Sequence, residues 1–105
     1  MTSKDRKYLR GLAHALNPVV IVGQRGLTDN VVRQVDQALT DHELIKVRIG
    51  GESPIHRDEA ATALSERTGC GVAGIIGRVL ILYRAHPEQP KITLPAGVAS
   101  ATTNA

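Results

Sequence analysis

Hydrophobic and polar residues in the first part of this chain follow a helical period and then a strand-like run. Apolar side chains recur at helical spacing at Leu9, Leu12, Ala13 and Leu16. This stripe predicts a first helix that Ser3 caps and that ends at Asn17-Pro18, because the residue before a proline disfavours helix. The uninterrupted apolar run Val19 to Val22 then predicts a strand at a central position of a sheet.

A second helix and a half-buried strand follow. Thr28 is predicted to cap a helix that runs to about Thr40. Its inward face consists of Val31, Val32, Val35, Ala38 and Leu39. The next predicted strand, Leu44 to Ile49, alternates apolar and polar positions, so Lys46 and Arg48 share the face opposite its core-facing side chains. One face of this strand is therefore apolar and the other cationic.

Serine, proline and glycine mark the remaining elements. Ser53 is predicted to cap a third helix that has Pro54 at its first position. Two apolar runs, Val72 to Ile76 and Val79 to Tyr83, are separated only by Gly77-Arg78. A two-residue connection containing glycine predicts a β-hairpin with Arg78 at its tip, and the second run suits a central strand.

The predicted order of elements is α, β, α, β, α, β, β. Strand-helix-strand connections give parallel neighbours, and the final hairpin adds an antiparallel strand. We therefore expect an α/β fold with two layers and a mixed four-stranded sheet, forming one domain over residues 1–94. Lys91 to Leu94 predicts a short edge strand, and the small residues of 95–105 predict a disordered tail.

Composition excludes several classes of protein. Tyr8 and Tyr83 are the only aromatic residues among 105, so the chain cannot build an aromatic platform for stacking bases. Polar residues interrupt every apolar run before it reaches membrane-spanning length. The single Cys70 allows neither an internal disulfide nor a cysteine-rich zinc site, and we expect it to be a buried thiol. These features predict a cytoplasmic protein without a membrane partner.

The turn Gly23-Gln24-Arg25-Gly26 is the strongest candidate for a binding site. Glycine permits positive φ or close approach of another molecule, and Gln24 and Arg25 supply donors between the two glycines. The turn leads into the start of a helix, which attracts anions, although Asp29 in the first turn would repel a phosphate. Its spacing is too short for a Walker loop, so nucleic-acid backbone is favoured over nucleotide hydrolysis.

Charge supports an anionic partner. The formal net charge is +3, and the whole surplus of basic residues lies before Ile49. Lys4, Lys7 and Arg10 lie off the apolar stripe of the first helix. Without aromatic residues, recognition should rest on phosphates, sugars and shape, which points to structured RNA.

Metal and catalytic sites have weaker support. The histidines and Cys70 show no paired ligand spacing, so no metal or other cofactor is expected. Asp41-His42-Glu43 falls in a predicted turn and forms a conceivable acid-base cluster, but successive residues of a turn point apart. An enzyme acting on a small phosphate ligand remains an alternative.

Several blocks of residues resemble one known family. The blocks are Lys7 to His14, Asn17 to Val20, Gly23 to Thr28, His42 to Val47, and Ile76 to Arg84. They are similar to the CRM domain (chloroplast RNA splicing and ribosome maturation) in its stand-alone bacterial YhbY-like form, over about Ser3 to Leu94. The resemblance implies a non-catalytic RNA-binding protein, expected to be monomeric, associated with the precursor of the large ribosomal subunit. It also implies a fold similar to the C-terminal domain of a translation initiation factor, with a KH-like GxxG loop.

The resemblance also implies which residues contact RNA. It places the binding loop on Gly23, Gln24, Arg25 and Gly26, the basic first helix on Lys4, Lys7 and Arg10, and the basic hairpin residue on Arg78. Lys46 and Arg48, on the cationic strand face, complete the candidate site. An alternative is a protein-interaction module that uses this strand face to dock on a ribosomal protein or an assembly factor.

Overall fold

The computed structural model describes residues 1–95, which form three helices and four strands. The bounds are α1 Ser3–Ala13, β1 Pro18–Val22, α2 Asp29–His42, β2 Leu44–Ile49, α3 Arg57–Thr68, β3 Gly71–Ile76 and β4 Val79–Tyr83. The predicted order of elements and the mixed four-stranded sheet are confirmed. None of these helices is long and apolar enough to span a bilayer. Apart from Pro95, the predicted tail lies outside the described residues.

The strands lie side by side in the order β1-β2-β4-β3. β1 and β2 are parallel and connected by α2, whereas β4 is antiparallel to both of its neighbours. β4 therefore lies between β2 and β3, so the prediction that strands joined by a helix are neighbours is wrong for β2 and β3. The central position predicted for Val79 to Leu82 is confirmed, since the strand has a neighbour on each side and Leu80, Ile81 and Leu82 are buried.

The central position predicted for the first strand is wrong, because β1 is at the edge of the sheet. Val20 and Val22 face the core, but Val19 is 51% exposed and Ile21 is 63% exposed. An uninterrupted apolar run does not distinguish a strand covered on both faces from one with a single covered face. The exposed side chains of β1 therefore need an explanation other than core packing.

Helices cover both faces of the sheet. α2 and α3 pack on one face, where Leu39 and Leu64 contact core residues of β2 and β4. α1 packs on part of the other face, where Leu9 and Ala13 contact Ile81. Full burial of a leucine such as Leu9 contributes about 2 kcal/mol to the attachment of α1. The sheet thus lies between helices, and α1 adds a layer to the two that are predicted from the sequence.

α1 is shorter and less buried than predicted. Thr2, not Ser3, caps it, because the Thr2 hydroxyl accepts the Asp5 N–H at 3.1 Å while the Asp5 carboxylate accepts the Thr2 N–H at 3.2 Å. The helix ends at Ala13, and the predicted stripe is incomplete, since Leu12 is 40% exposed. As a result α1 covers only part of its face of the sheet.

α3 begins at Arg57 and not at Pro54. Ser53 does not cap it, because the Ser53 hydroxyl accepts the N–H of Ile55 at 3.2 Å within the preceding loop. His56 occupies the N-cap position without a side-chain hydrogen bond to the helix. The sequence signals of serine and proline therefore describe a turn that precedes the helix.

Glu43 connects α2 to β2 through an unusual backbone conformation, with φ 65° and ψ −47°. Its carboxylate is buried and accepts three backbone N–H groups, from His86 at 2.8 Å, Lys91 at 2.8 Å and Ile92 at 3.1 Å. Burial raises the pKa of Glu43, but the three donors together lower it by a larger amount. The pKa therefore lies below its ordinary value. We name this arrangement the Glu43 clasp.

Two predictions about the residues around the Glu43 clasp are wrong. Asp41 and His42 belong to the last turn of α2, so the turn predicted at Asp41-His42-Glu43 is wrong for these two residues. Lys91 to Leu94 does not form a strand, because its first N–H groups bind the Glu43 carboxylate and its apolar side chains pack against the α1 side of the core.

Candidate functional site

The turn Gly23–Gly26 links β1 to α2 and is closed by its own hydrogen bonds. The N–H of Gly26 donates to the carbonyl of Gly23 at 3.0 Å, and the N–H of Thr28 donates to the carbonyl of Gly26 at 3.1 Å. The Thr28 hydroxyl accepts the N–H of Val31 at 3.2 Å, which confirms Thr28 as the cap of α2. The turn is therefore firmly attached to the start of the helix.

The tip of the turn presents free donors. Gln24 and Arg25 are exposed, and their backbone N–H groups have no hydrogen-bond acceptor among residues 1–95. The first N–H groups of a helix also lack intrahelical acceptors, and the helix dipole favours negative charge at this end. Together with the Arg25 guanidinium, these groups can bind an anion such as a phosphate.

The two glycines of the turn differ in what they require. Gly26 has φ +68°, and a Cβ there would lie 3.3 Å from Cγ of Pro54. Gly23 does not have positive φ, and a Cβ there would meet no heavy atom within 4 Å. The described part of the chain therefore gives no packing reason for glycine at position 23. Close approach by another molecule is a physical reason for glycine there.

Two other segments lie at the same edge of the sheet as the turn. From here on, this edge means the one formed by the last residues of β1 and β2 and by the β3–β4 hairpin. The N–H of Gly50 donates to the carbonyl of Val22 at 2.8 Å, and the N–H of Ile49 donates to the carbonyl of Arg78 at 2.7 Å. A Cβ at Gly50 would lie only 2.9 Å from the Val22 oxygen, so the two chain segments approach as closely as glycine allows. The turn, the loop 50–56 and the hairpin tip consequently form one continuous edge.

The loop 50–56 and the hairpin tip line an open cleft of about 450 Å³ that contains Arg57 and Arg78. The guanidinium of Arg57 donates to the carbonyl of Gly77 at 2.7 Å. Gly77 has φ +58°, which suits the first position of the tight turn predicted from sequence. The sequence does not indicate Arg57 as a site residue, because a helix that begins at Pro54 would place Arg57 within the helix and away from this edge.

Arg48 lies in a row of side chains that crosses all four strands. The register aligns Ile21 with Arg48, Arg48 with Val79, and Val79 with Ile76. We call these four residues the sheet row. Ile21 is 63% exposed and Ile76 is 59% exposed, and Arg48 is also exposed. The predicted cationic face therefore also carries exposed apolar side chains.

Backbone carbonyls hold two of the predicted cations beside the sheet row. Nζ of Lys46 donates to the carbonyl of Leu16 at 2.9 Å, and the Arg10 guanidinium donates to the carbonyl of Ala73 at 3.0 Å. Together with His14 they line a hollow of about 180 Å³. A carbonyl partner leaves the positive charge in place, so both side chains contribute to a positive potential on this face.

Lys4 and Lys7 are not grouped with the turn. They line a separate groove on the outer side of α1, together with Tyr8 and Pro95. The start of the chain packs beside Gly71, at the end of β3 away from the hairpin tip. The basic first helix predicted from sequence is thus divided, with Arg10 near the sheet row and the two lysines elsewhere.

Asp29 is less repulsive toward a phosphate than its position in the sequence suggests. It forms an ion pair with Arg67 at 2.8 Å. The hydrogen bond and the charge of Arg67 hold the pKa of Asp29 below its ordinary value. The Arg67 charge partly compensates the carboxylate at the start of α2. Neither this pair nor the pair between Arg84 and Asp36 involves a predicted RNA-binding cation.

Cys70 is buried, as predicted, and burial raises the pKa of its thiol. A raised pKa disfavours the reactive thiolate at neutral pH. In residues 1–95 no three His, Cys, Asp or Glu side chains are grouped closely enough to hold a metal ion.

Comparison with known proteins identifies the family. The family model of the CRS1 / YhbY (CRM) domain matches residues 1–84. This chain belongs to the CRS1/YhbY (CRM) domain family. The resemblance drawn from the residue blocks is thereby confirmed for the family.

Relatives of this CRM domain have similar length. A Haemophilus influenzae protein named "RNA-binding protein" is 40% identical over 95 residues, which cover 90% of this chain and 95% of that protein. The Bacillus subtilis protein named "Probable RNA-binding protein YqeI" is 34% identical over 95 residues, covering 90% and 99% of the two chains. Both match this domain over nearly all of their own length.

A solved structure shares the fold. The solution structure of the hypothetical protein SAV1595 from Staphylococcus aureus, described as a candidate RNA-binding protein, is 36% identical and superimposes with a TM-score of 0.78. The match covers 90% of this chain and 99% of that chain. The predicted α/β fold with a mixed four-stranded sheet is confirmed.

Proposed function

We propose that this CRM domain is a non-catalytic, monomeric RNA-binding protein of the cytoplasm that acts on ribosomal RNA during assembly of the large ribosomal subunit. The turn Gly23–Gly26 carries the proposal, because it offers free N–H groups and a guanidinium at a helix start, with a glycine that internal packing does not require. The names of the H. influenzae and B. subtilis relatives support RNA as the partner.

The turn contacts the RNA backbone. Backbone N–H groups and the Arg25 side chain donate to phosphate oxygens, as is common in nucleic-acid complexes. Arg78 on the hairpin tip and Arg48 on the sheet row flank the same edge of the sheet. Arg10 and Lys46 extend the positive surface along the sheet. Such contacts recognise the position of phosphates, and therefore the shape of a folded RNA.

The non-catalytic role is supported by the Glu43 clasp. The rival hypothesis of an enzyme for a small phosphate ligand needs Asp41, His42 and Glu43 as an acid-base cluster. Both oxygens of the Glu43 carboxylate already accept backbone N–H groups in the interior, so this group is occupied in holding the chain together. A proton-transfer role for Glu43 would compete with that function.

Crosslinking in cells tests the ribosomal part of the proposal. Cells that express the tagged protein are irradiated, and the attached RNA is sequenced. We expect fragments of the large-subunit ribosomal RNA precursor, with strongly reduced crosslinking for Gly23→Ala and normal crosslinking for Gly11→Ala, which adds a methyl group in an equally open position. Crosslinks spread evenly over unrelated RNA, or equal crosslinking by both variants, would contradict it.

A protein-interaction module remains the alternative. The exposure of Ile21 and Ile76 beside Arg48 favours it, because apolar side chains on a surface often mark a contact with another macromolecule. The alternative predicts a complex with a ribosomal protein or an assembly factor that survives nuclease treatment and high salt. A complex that nuclease dissolves would exclude it.

A further inference from the structure

The sheet row is an uncovered surface next to the proposed RNA-binding turn. α1 packs over Ile81 and Ala73 and leaves three residues of the last row of the sheet exposed, while Val79 is half-buried. Ile21 precedes the turn by two positions, and Ile76 directly precedes the hairpin tip. Neighbouring strands are spaced by about 4.8 Å, so the row extends about 14 Å across the four strands. It is continuous with the edge that carries the turn.

The surroundings of the row are basic. Arg48 lies within it between Ile21 and Val79, and the hollow containing Arg10 and Lys46 lies beside it. None of the four strands in the described chain contains an acidic residue. The row is therefore a narrow apolar surface with positive charge in it and at its rim.

We propose that the sheet row is a platform for the bases of unpaired nucleotides in the RNA whose backbone the turn binds. This inference rests on the proposed function and adds a class of RNA to it. An unpaired nucleotide offers an apolar base face and a negative phosphate, which match the isoleucines and the basic rim respectively. Arg48, between Ile21 and Val79, can donate to the phosphate of a nucleotide whose base lies on Ile21.

The alternative classes of partner fit this surface less well. In a paired RNA helix the base faces are stacked inside, so a duplex would leave Ile21 and Ile76 without an apolar contact. A protein partner would need acidic groups around a small apolar centre. The aliphatic side chains of the row therefore provide the surface for stacking bases that composition alone predicts only for aromatic residues. The bound RNA accordingly contains a bulge, a loop or another unpaired segment.

Two RNA probes of equal charge test the inference: a blunt duplex, and the same duplex with an unpaired bulge at its centre. Wild-type protein should bind the bulged RNA more tightly. A variant with Ile21→Thr and Ile76→Thr should bind the bulged RNA roughly tenfold more weakly than wild type, because stacking of one unpaired base contributes about an order of magnitude in affinity. Its affinity for the blunt duplex should not change. The control Val19→Thr alters an exposed residue of the same strand outside the row and should behave as wild type.

A gain-of-binding variant makes the test independent of losses through misfolding. Ile21→Phe supplies a larger stacking surface and should increase affinity for the bulged RNA only. If wild type binds both probes equally, or if the threonine variant keeps the preference, the inference fails while RNA binding itself stands, and the row is left for a protein partner. If wild type binds neither probe, the proposed function and the inference both fail.

Discussion

Replacing Glu43 by glutamine should weaken the attachment of the C-terminal segment of the described chain. In the wild type, Oε2 of Glu43 accepts the N–H of His86 at 2.8 Å, and Oε1 accepts those of Lys91 at 2.8 Å and Ile92 at 3.1 Å. Glutamine has one oxygen and one amide NH₂ group, so its NH₂ must face one set of N–H donors. At least one hydrogen bond is lost, and the negative charge is lost from the others.

The size of this effect follows from the number of bonds. A hydrogen bond to a charged group contributes about 1.5 to 3 kcal/mol, and the remaining neutral bonds are about half as strong. With one bond lost and two weakened by half, we therefore expect Glu43→Gln to lower the free energy of unfolding by roughly 3 to 6 kcal/mol, a large part of the total of a small domain. Amide hydrogen exchange should accelerate at His86, Lys91 and Ile92, which reports the local loosening.

Acid dependence gives the same prediction a second measurement. The pKa of Glu43 in the folded protein lies below its ordinary value of 4.5, so the clasp stabilises the fold fully above pH 4.5 and loses this contribution as the pH falls through the folded pKa. Glu43→Gln lacks this component, and its stability should decline less steeply in that window.

Urea unfolding followed by circular dichroism, at neutral pH and in steps below pH 4.5, measures both effects. The control is Glu66→Gln, which removes an exposed carboxylate from α3. Equal stability and equal acid dependence of the two variants would refute the assigned role of the clasp.

Three further predictions concern the turn, its neighbouring acid and the thiol. Gly26→Ala should lower the free energy of unfolding by about 1 to 2 kcal/mol because of positive φ and the Pro54 contact, whereas Gly23→Ala should change it by less than about 0.5 kcal/mol in chemical denaturation; equal losses would contradict the difference drawn between the two glycines. Asp29→Asn should tighten RNA binding about twofold by removing a negative charge beside the turn, measured by filter binding at low salt, and weaker binding would show that the Asp29–Arg67 pair positions the turn. Cys70 should resist alkylation in the native protein and react on unfolding, and rapid native modification seen by mass spectrometry would disprove its burial.

Local patterns predicted most of the elements. β2 and β4 have the predicted bounds, because alternation in Leu44 to Ile49 and the glycine-containing hairpin before Val79 are short-range signals. The helix start at Thr28 is also local, since its hydroxyl binds an N–H only three residues away. These features depend on neighbours in sequence, and a sequence contains that information directly.

The failures involve contacts between distant residues. The Glu43 clasp joins positions more than forty apart, and nothing near Glu43 in the sequence indicates which N–H groups its carboxylate will accept. The insertion of β4 between β2 and β3 similarly reflects the competition among whole strands for neighbours. The edge position of β1 also depends on this competition, because the apolar run Val19 to Val22 does not show whether a second strand pairs with β1, and so the exposure of Ile21 is not evident from the sequence.

The candidate site likewise has parts that the local sequence predicts and parts that depend on contacts between distant residues. The turn Gly23–Gly26 is evident from its residues, but the sheet row exists only through the register of four strands. Likewise, helical spacing groups Lys7 with Arg10, whereas the docking of α1 directs them to different hollows. Charge patterns predicted which side chains are available but not which of them act together.

Salt dependence of RNA binding tests the central claim most directly. Equilibrium binding to a structured ribosomal RNA fragment is measured over a range of salt concentrations for wild type and for a variant in which Arg25, Arg48 and Arg78 are glutamine. If these three residues contact phosphates, the variant should bind more weakly, and its slope of log K against log salt should be shallower by about 2 to 3 units. Arg33→Gln, on the outer face of α2, should leave the slope unchanged. Equal slopes for wild type and the triple variant would contradict the proposal that this edge of the sheet binds the RNA backbone.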